Sequence, residues 1–229
     1  MRTVAVVAGL SVAGAYLLGS VPLGYLLLRG RLRRDLGRAD LRTMLTGGGA
    51  TGRADDAVAA VLDTAKVLLA ATLAWHLVED ASPGFDRGVL PALSAVGFLA
   101  DQVLTAWQSV GLWAGTAAVV GHLAPPWLGF RRAHGEAPAL GLVFVYCPAG
   151  FAAGVAAFFA ALAVTRRPVP SALAGLTAFV GWAWTAWVFD WRTGWGVTNG
   201  PELALWATVL AGVLAAHTLS GHARPLRST

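Results

Sequence analysis

Apolar residues run along this chain in blocks of about the length needed to cross a bilayer, parted by short polar interruptions, and that alternation predicts its architecture. The first block is Val4 to Leu28. It stays apolar through Gly19-Ser20-Val21-Pro22-Leu23-Gly24-Tyr25, past any cleavage point that a signal peptide would offer, and so reads as a span. A polar stretch at 29–56 separates it from a second span at 57–78. Two apolar pieces, 89–99 and 107–120, then flank Asp101 and Gln102. The sidedness of the neighbouring loops demands an odd number of crossings here. One span at 104–120, preceded by an interfacial or partly inserted helix, meets that demand. The block 138–164 is too long for one ordinary span and carries Cys147-Pro148 near its middle. Proline lacks the N–H of a continuing helix and clashes with the preceding turn, so two short or broken passes are expected there. The last spans are 172–189 and 202–219. Membrane barrels use short segments that alternate every second residue, and this chain has no such pattern. The expectation is an all-α integral membrane protein of about seven transmembrane helices, forming a single polytopic domain over residues 1–229.

Charge adds the orientation. Only 13% of residues are charged, where soluble domains carry about a quarter. Of the 17 basic residues, 13 fall in the stretches 29–56, 122–136, 165–171 and 220–229. Loops rich in arginine stay on the cytoplasmic side, so these four are expected there, with the N-terminus outside and the C-terminus cytoplasmic. The net charge of +5 is thereby accounted for by topology and implies no nucleic-acid partner. Cys147 is the sole cysteine and lies in an apolar run, which excludes an internal disulfide.

The polar interruptions hold the candidate chemistry. Gly47, Gly48 and Gly49, followed by Arg53, could turn backbone N–H groups toward an anion; the same composition also suits a flexible linker. Asp63 and Lys66 stand three residues apart inside the second span, on one helix face, where they can neutralise each other. They read either as a structural ion pair or as part of a polar interior. The stretch from Gly121 to Gly135 runs Gly-His, a proline step, Trp127, Arg131 and Arg132, then His134. His122 suits proton transfer or a simple bond to a backbone carbonyl at a span end, and His134 reads equally as a solvated loop residue. His217 closes the last span. Together these stretches offer arginines, histidines and amide nests on one face, the groups that hold a phosphate ester beside apolar walls for an acyl chain.

The same residues carry a resemblance. Tyr16 to Tyr25, Asp40-Leu41-Arg42, Gly49-Ala50-Thr51, Leu62-Asp63-Thr64-Ala65-Lys66, Gly121-His122 with Pro125, Gly129-Phe130-Arg131, Gly135 and Ala139-Leu140-Gly141 follow one another as in a known family. The chain resembles the bacterial membrane glycerol-3-phosphate acyltransferases that take acyl phosphate as donor. The likeness covers nearly all of it apart from 88–104. It implies a seven-helix enzyme of the cell inner membrane, active on its cytoplasmic face in phospholipid biosynthesis, with the bilayer as its surroundings. Its substrates would be acyl phosphate and glycerol 3-phosphate, its products lysophosphatidate and phosphate, and it would need no cofactor and no metal. The resemblance implies phosphate binding by Arg53, Arg131, His134 and the amides of Gly47, Gly48 and Gly49. It assigns the acid-base work to His122 and His217, with Thr46 nearest the family's motif serine. The chain departs from the family pattern in three places. Gly48 and Gly52 stand near its asparagines, Arg132-Ala133-His134 replaces a Gly-Gly-Lys run, and Ser220 and His222 stand where its last motif has an asparagine and a glutamate. A second reading is therefore a catalytically impaired relative of the same fold that binds lipid or a partner protein.

Overall fold

The computed structural model describes residues 2–21, 53–81, 106–128, 136–191 and 200–222. The helices in these segments are α1 (Arg2–Ser20), α2 (Arg53–Ala81), α3 (Ala106–Leu123), α4 (Ala137–Tyr146), α5 (Pro148–Thr165), α6 (Pro168–Val188) and α7 (Pro201–His222). A 3-10 turn at Pro126–Leu128 follows α3. Among the described residues four helical stretches are long and apolar enough to cross a membrane: Ala57–Asp80, Pro148–Thr165, Pro168–Val188 and Pro201–Ser220. Ala5–Ser20 and α4 are shorter apolar helices.

Local chemistry sets the breaks. Cys147 N–H closes α4 on the Val143 carbonyl at 2.8 Å, and Pro148 opens α5 at a position where no N–H is needed. The long apolar block at 138–164 is thus two helices meeting at the proline. Arg166 ends α5 in the left-handed region (φ 53°), its N–H donating to the Leu162 carbonyl at 2.9 Å, and Pro168 starts α6 two residues on. Some boundaries differ from those expected. Helix α2 begins at Arg53, because Arg53-Ala54-Asp55-Asp56 contains nothing that stops a helix. Helix α3 runs to Leu123, which puts His122 in its last turn, and α7 continues through His222 beyond the expected span end.

The described helices pack as two compact units, the first ending and the second beginning within α4, at Leu142 and Val143. In the first unit, α1 and α3 approach backbone to backbone: a Cβ on Gly19 would overlap the Ala118 backbone, and one on Gly121 would overlap the Tyr16 carbonyl. Such contact is how spans gain packing energy where lipid tails are as apolar as the side chains. Val67, Ala71, Ala74 and Val78 of α2 and Leu112, Ala114 and Ala118 of α3 fill the interior, while Leu69, Leu73 and Leu77 form an exposed apolar stripe along α2. In the second unit, Gly154 of α5 and Gly175 of α6 bring their backbones together. Phe179 of α6 meets the fully buried Trp206 of α7 edge to face at 6.0 Å.

Candidate active site

The polar centre of the first unit is built on α2. Asp63 and Lys66 share a face because three residues bring a helix nearly once around, and Lys66 Nζ lies 2.7 Å from Asp63 Oδ1. The Lys66 side chain is 1% exposed and that of Asp63 16%. An ammonium so buried needs compensation, and it has three sources. Besides the carboxylate, it donates to the Val21 carbonyl just beyond α1 at 2.7 Å and lies 3.2 Å from His122 Nδ1 on α3. His122 Nδ1 and Asp63 Oδ1 are 4.0 Å apart, beyond hydrogen-bond reach. One lysine therefore ties the end of α1, the middle of α2 and the last turn of α3.

Two further bonds fasten the turn after α3 to α1. Tyr16 Oη donates to the Ala124 carbonyl at 3.0 Å, and Trp127 Nε1 donates to Ser20 Oγ at 2.8 Å, which itself donates to the Leu17 carbonyl at 2.6 Å. Beside this clamp α1 and α3 border a widely open apolar cavity of about 640 Å³, lined by Gly9, Ala13 and Leu17 on one wall and Trp113, Thr116 and Val120 on the other. Tyr16 belongs to both, its residue lining the cavity and its hydroxyl held in the polar clamp. The arrangement offers a fixed cation and an imidazole next to a space of the right chemistry for a hydrocarbon chain.

Of the residues singled out from the sequence, Asp63, Lys66 and His122 come together here. Arg53 is the first residue of α2. His217 is half-buried on α7 in the second unit. Thr46, Gly47, Gly48, Gly49, Arg131 and His134 lie outside the described residues. Tyr16, Ser20, Val21 and Trp127 enter the site only through the tertiary structure. Tyr16 was legible only as part of the family resemblance and Trp127 only as part of the turn after the third span, and nothing in the sequence pairs either with its partner more than a hundred residues away.

Comparison with known proteins agrees with this architecture. A protein of Rhodospirillum rubrum named glycerol-3-phosphate acyltransferase is 38% identical over 157 residues, which is 65% of this chain and 61% of that protein. A protein of the same name from Anaeromyxobacter dehalogenans is 32% identical over 171 residues, 72% of this chain and 71% of its own length. The fold is like that of crystalline PlsY, an integral membrane glycerol 3-phosphate acyltransferase solved in its glycerol 3-phosphate form, with a TM-score of 0.59 at 20% identity over 93% of this chain and 89% of that one. The match to the first of these relatives stops short of two thirds of its length, but a family model described as glycerol-3-phosphate acyltransferase runs from residue 9 to residue 226 of this chain, through every helix just described. The chain therefore belongs to the glycerol-3-phosphate acyltransferase family of integral membrane proteins.

Proposed function

We propose that this protein transfers an acyl group from acyl phosphate to a hydroxyl of glycerol 3-phosphate, on the cytoplasmic face of the cell inner membrane. The hydroxyl oxygen attacks the acyl carbonyl carbon, the bond from that carbon to the phosphate oxygen breaks, and lysophosphatidate and inorganic phosphate leave. The hydroxyl proton goes to a base, for which His122 and His217 are the candidate imidazoles. Arg53, Arg131, His134 and the amides at Gly47, Gly48 and Gly49 are assigned to the phosphate charges, and Thr46 is counted with the two histidines among the catalytic groups. The apolar cavity between α1 and α3 suits the acyl chain.

One observation carries the reading. Three segments that resemble the family and lie far apart in sequence, at 16–21, 62–66 and 121–125, meet at Lys66 and its neighbours. A buried charge cluster is expensive inside a membrane and is generally retained for function.

The test is rescue of a bacterium that lacks its own acyl-phosphate-dependent acyltransferase, paired with turnover in membranes holding this protein. Growth, with formation of labelled lysophosphatidate that requires both acyl phosphate and glycerol 3-phosphate, is the expected result. Neither growth nor turnover from a chain that inserts normally, beside an active relative, overturns the reading in favour of a non-catalytic lipid- or partner-binding protein.

A further inference from the structure

The two ends of α6 differ in chemistry. Its far end carries the ring pair Trp184–Trp187 at 5.3 Å and, just beyond it, the stacked pair Phe189–Trp191, aromatics of the kind that settle at the edge of the hydrocarbon layer. Its near end is the turn from α5, where Arg166 and Arg167 are both exposed. Helix α6 has 21 residues, about 31 Å by helical rise, against roughly 30 Å of hydrocarbon in a bilayer. With the aromatic end at one interface, that length puts the arginine turn at the phosphate level of the opposite leaflet.

The turn is built to hold its shape. Arg166 stands at φ 53°, a left-handed conformation that favours glycine. Thr165 Oγ1 accepts the Arg167 N–H at 3.3 Å and lies 3.3 Å from Ser171 Oγ, and the fully buried Ser171 donates to the Arg167 carbonyl at 2.7 Å. Both guanidinium side chains therefore rise from a backbone that is fixed before a ligand arrives. Among the described residues no carboxylate forms an ion pair with either arginine. Below the turn, Gly150 is the one buried residue of α5, while Val164 is 85% exposed and Phe159, two turns before Arg166, is 61% exposed. An apolar surface thus leads from the arginines into the hydrocarbon.

We infer that the Arg166–Arg167 turn is a headgroup site for an anionic phospholipid of the phosphatidate class, whose acyl chains lie along α5. Guanidinium forks match the free oxygens of a phosphate, whereas a choline headgroup brings its own cation to compete with them. The apolar surface below the turn selects a lipid over a soluble phosphate or an acidic protein segment, neither of which would cover it. The site lies in the second unit and does not depend on the reaction proposed above.

The test is native mass spectrometry of the full chain in detergent, titrated with phosphatidate or phosphatidylcholine, with and without excess inorganic phosphate. The expected result is one phosphatidate bound more tightly than phosphatidylcholine and not displaced by inorganic phosphate. Arg166→Gly combined with Arg167→Gln weakens it roughly 25-fold, from about fivefold for each basic side chain at an anionic surface. Glycine suits the left-handed position, so Arg166→Gly alone, with a loss of about fivefold, decides should the double variant fail to insert. Removing the same charge from the tail, Arg224→Gln with Arg227→Gln, leaves the affinity unchanged. An equal loss in the tail variant overturns the inference in favour of diffuse charge attraction, and undiminished binding in the turn variants overturns it outright. Displacement by inorganic phosphate, or equal affinity for the two lipids, also overturns it and leaves the arginines to a soluble phosphate or a protein partner.

Discussion

Replacing Lys66 with methionine leaves the Asp63 carboxylate deep in the first unit without its counter-ion and the Val21 carbonyl without its donor. Breaking a buried pair from one side costs about 3–5 kcal/mol, and the lower end applies because Asp63 keeps 16% of its side chain exposed. Loss of the bond to Val21 adds about 1 kcal/mol, for a total of about 4 kcal/mol. Replacing Asp63 with leucine strands the ammonium but keeps the Val21 bond, at about 3 kcal/mol. Removing both charges together leaves neither ion stranded, and only the Val21 bond, about 1 kcal/mol, stays lost. At roughly 2–4 °C per kcal/mol for a chain of this size, Tm falls by about 8–16 °C in Lys66→Met and about 6–12 °C in Asp63→Leu, but by no more than about 4 °C in the double variant. Cys147 is the sole cysteine and is buried, so its reaction with a thiol-reactive fluorophore during heating in detergent reports unfolding. The result that refutes this reasoning is additivity: a double variant as unstable as the two single losses summed means the charges do not compensate each other.

Four further outcomes are expected. His122→Ala and Arg53→Ala each lower acyl transfer roughly 10²–10³-fold, the usual loss when a general base or a preorganised donor to developing charge is removed, measured as labelled lysophosphatidate formed in membranes. Gly121→Val drives a side chain into the Tyr16 carbonyl and lowers stability by about 1–3 kcal/mol. Gly212→Ala, with nothing among the described residues within 4 Å of its new Cβ, leaves stability in the same melting assay unchanged or raised by up to about 1 kcal/mol. Ala117→Phe fills part of the cavity between α1 and α3 and shifts preference toward shorter acyl phosphates. The fall in kcat/KM for longer chains is roughly fourfold per methylene excluded, from about 0.8 kcal/mol for each buried CH₂. Unchanged chain-length preference would place the acyl chain elsewhere.

The helical, membrane-spanning class was legible in the sequence because bilayer thickness and the need to satisfy backbone groups act on each segment separately. The break at Pro148 was legible for the same local reason: a missing N–H interrupts a helix whatever surrounds it. So was the shared face of Asp63 and Lys66, which depends only on helical pitch. Helix ends were less so, as at Arg53 and His222, because hydropathy marks only the apolar part of a helix, whereas α2 and α7 continue into polar residues at these ends. What the sequence by itself could not determine is what lies against that charged face. Lys66 could have paired with Asp63 alone. The third partner, His122 Nδ1, is 56 positions away, and the sequence marks its histidine as a candidate for proton transfer without linking it to Lys66. Its contact exists because Gly19 and Gly121 let α1 and α3 close to backbone distance, bringing the Val21 carbonyl and the imidazole to one ammonium. Segmental hydropathy carries no information about which helices touch. Close packing of small residues does, and it decided here which ring nitrogen of His122 faces the charge.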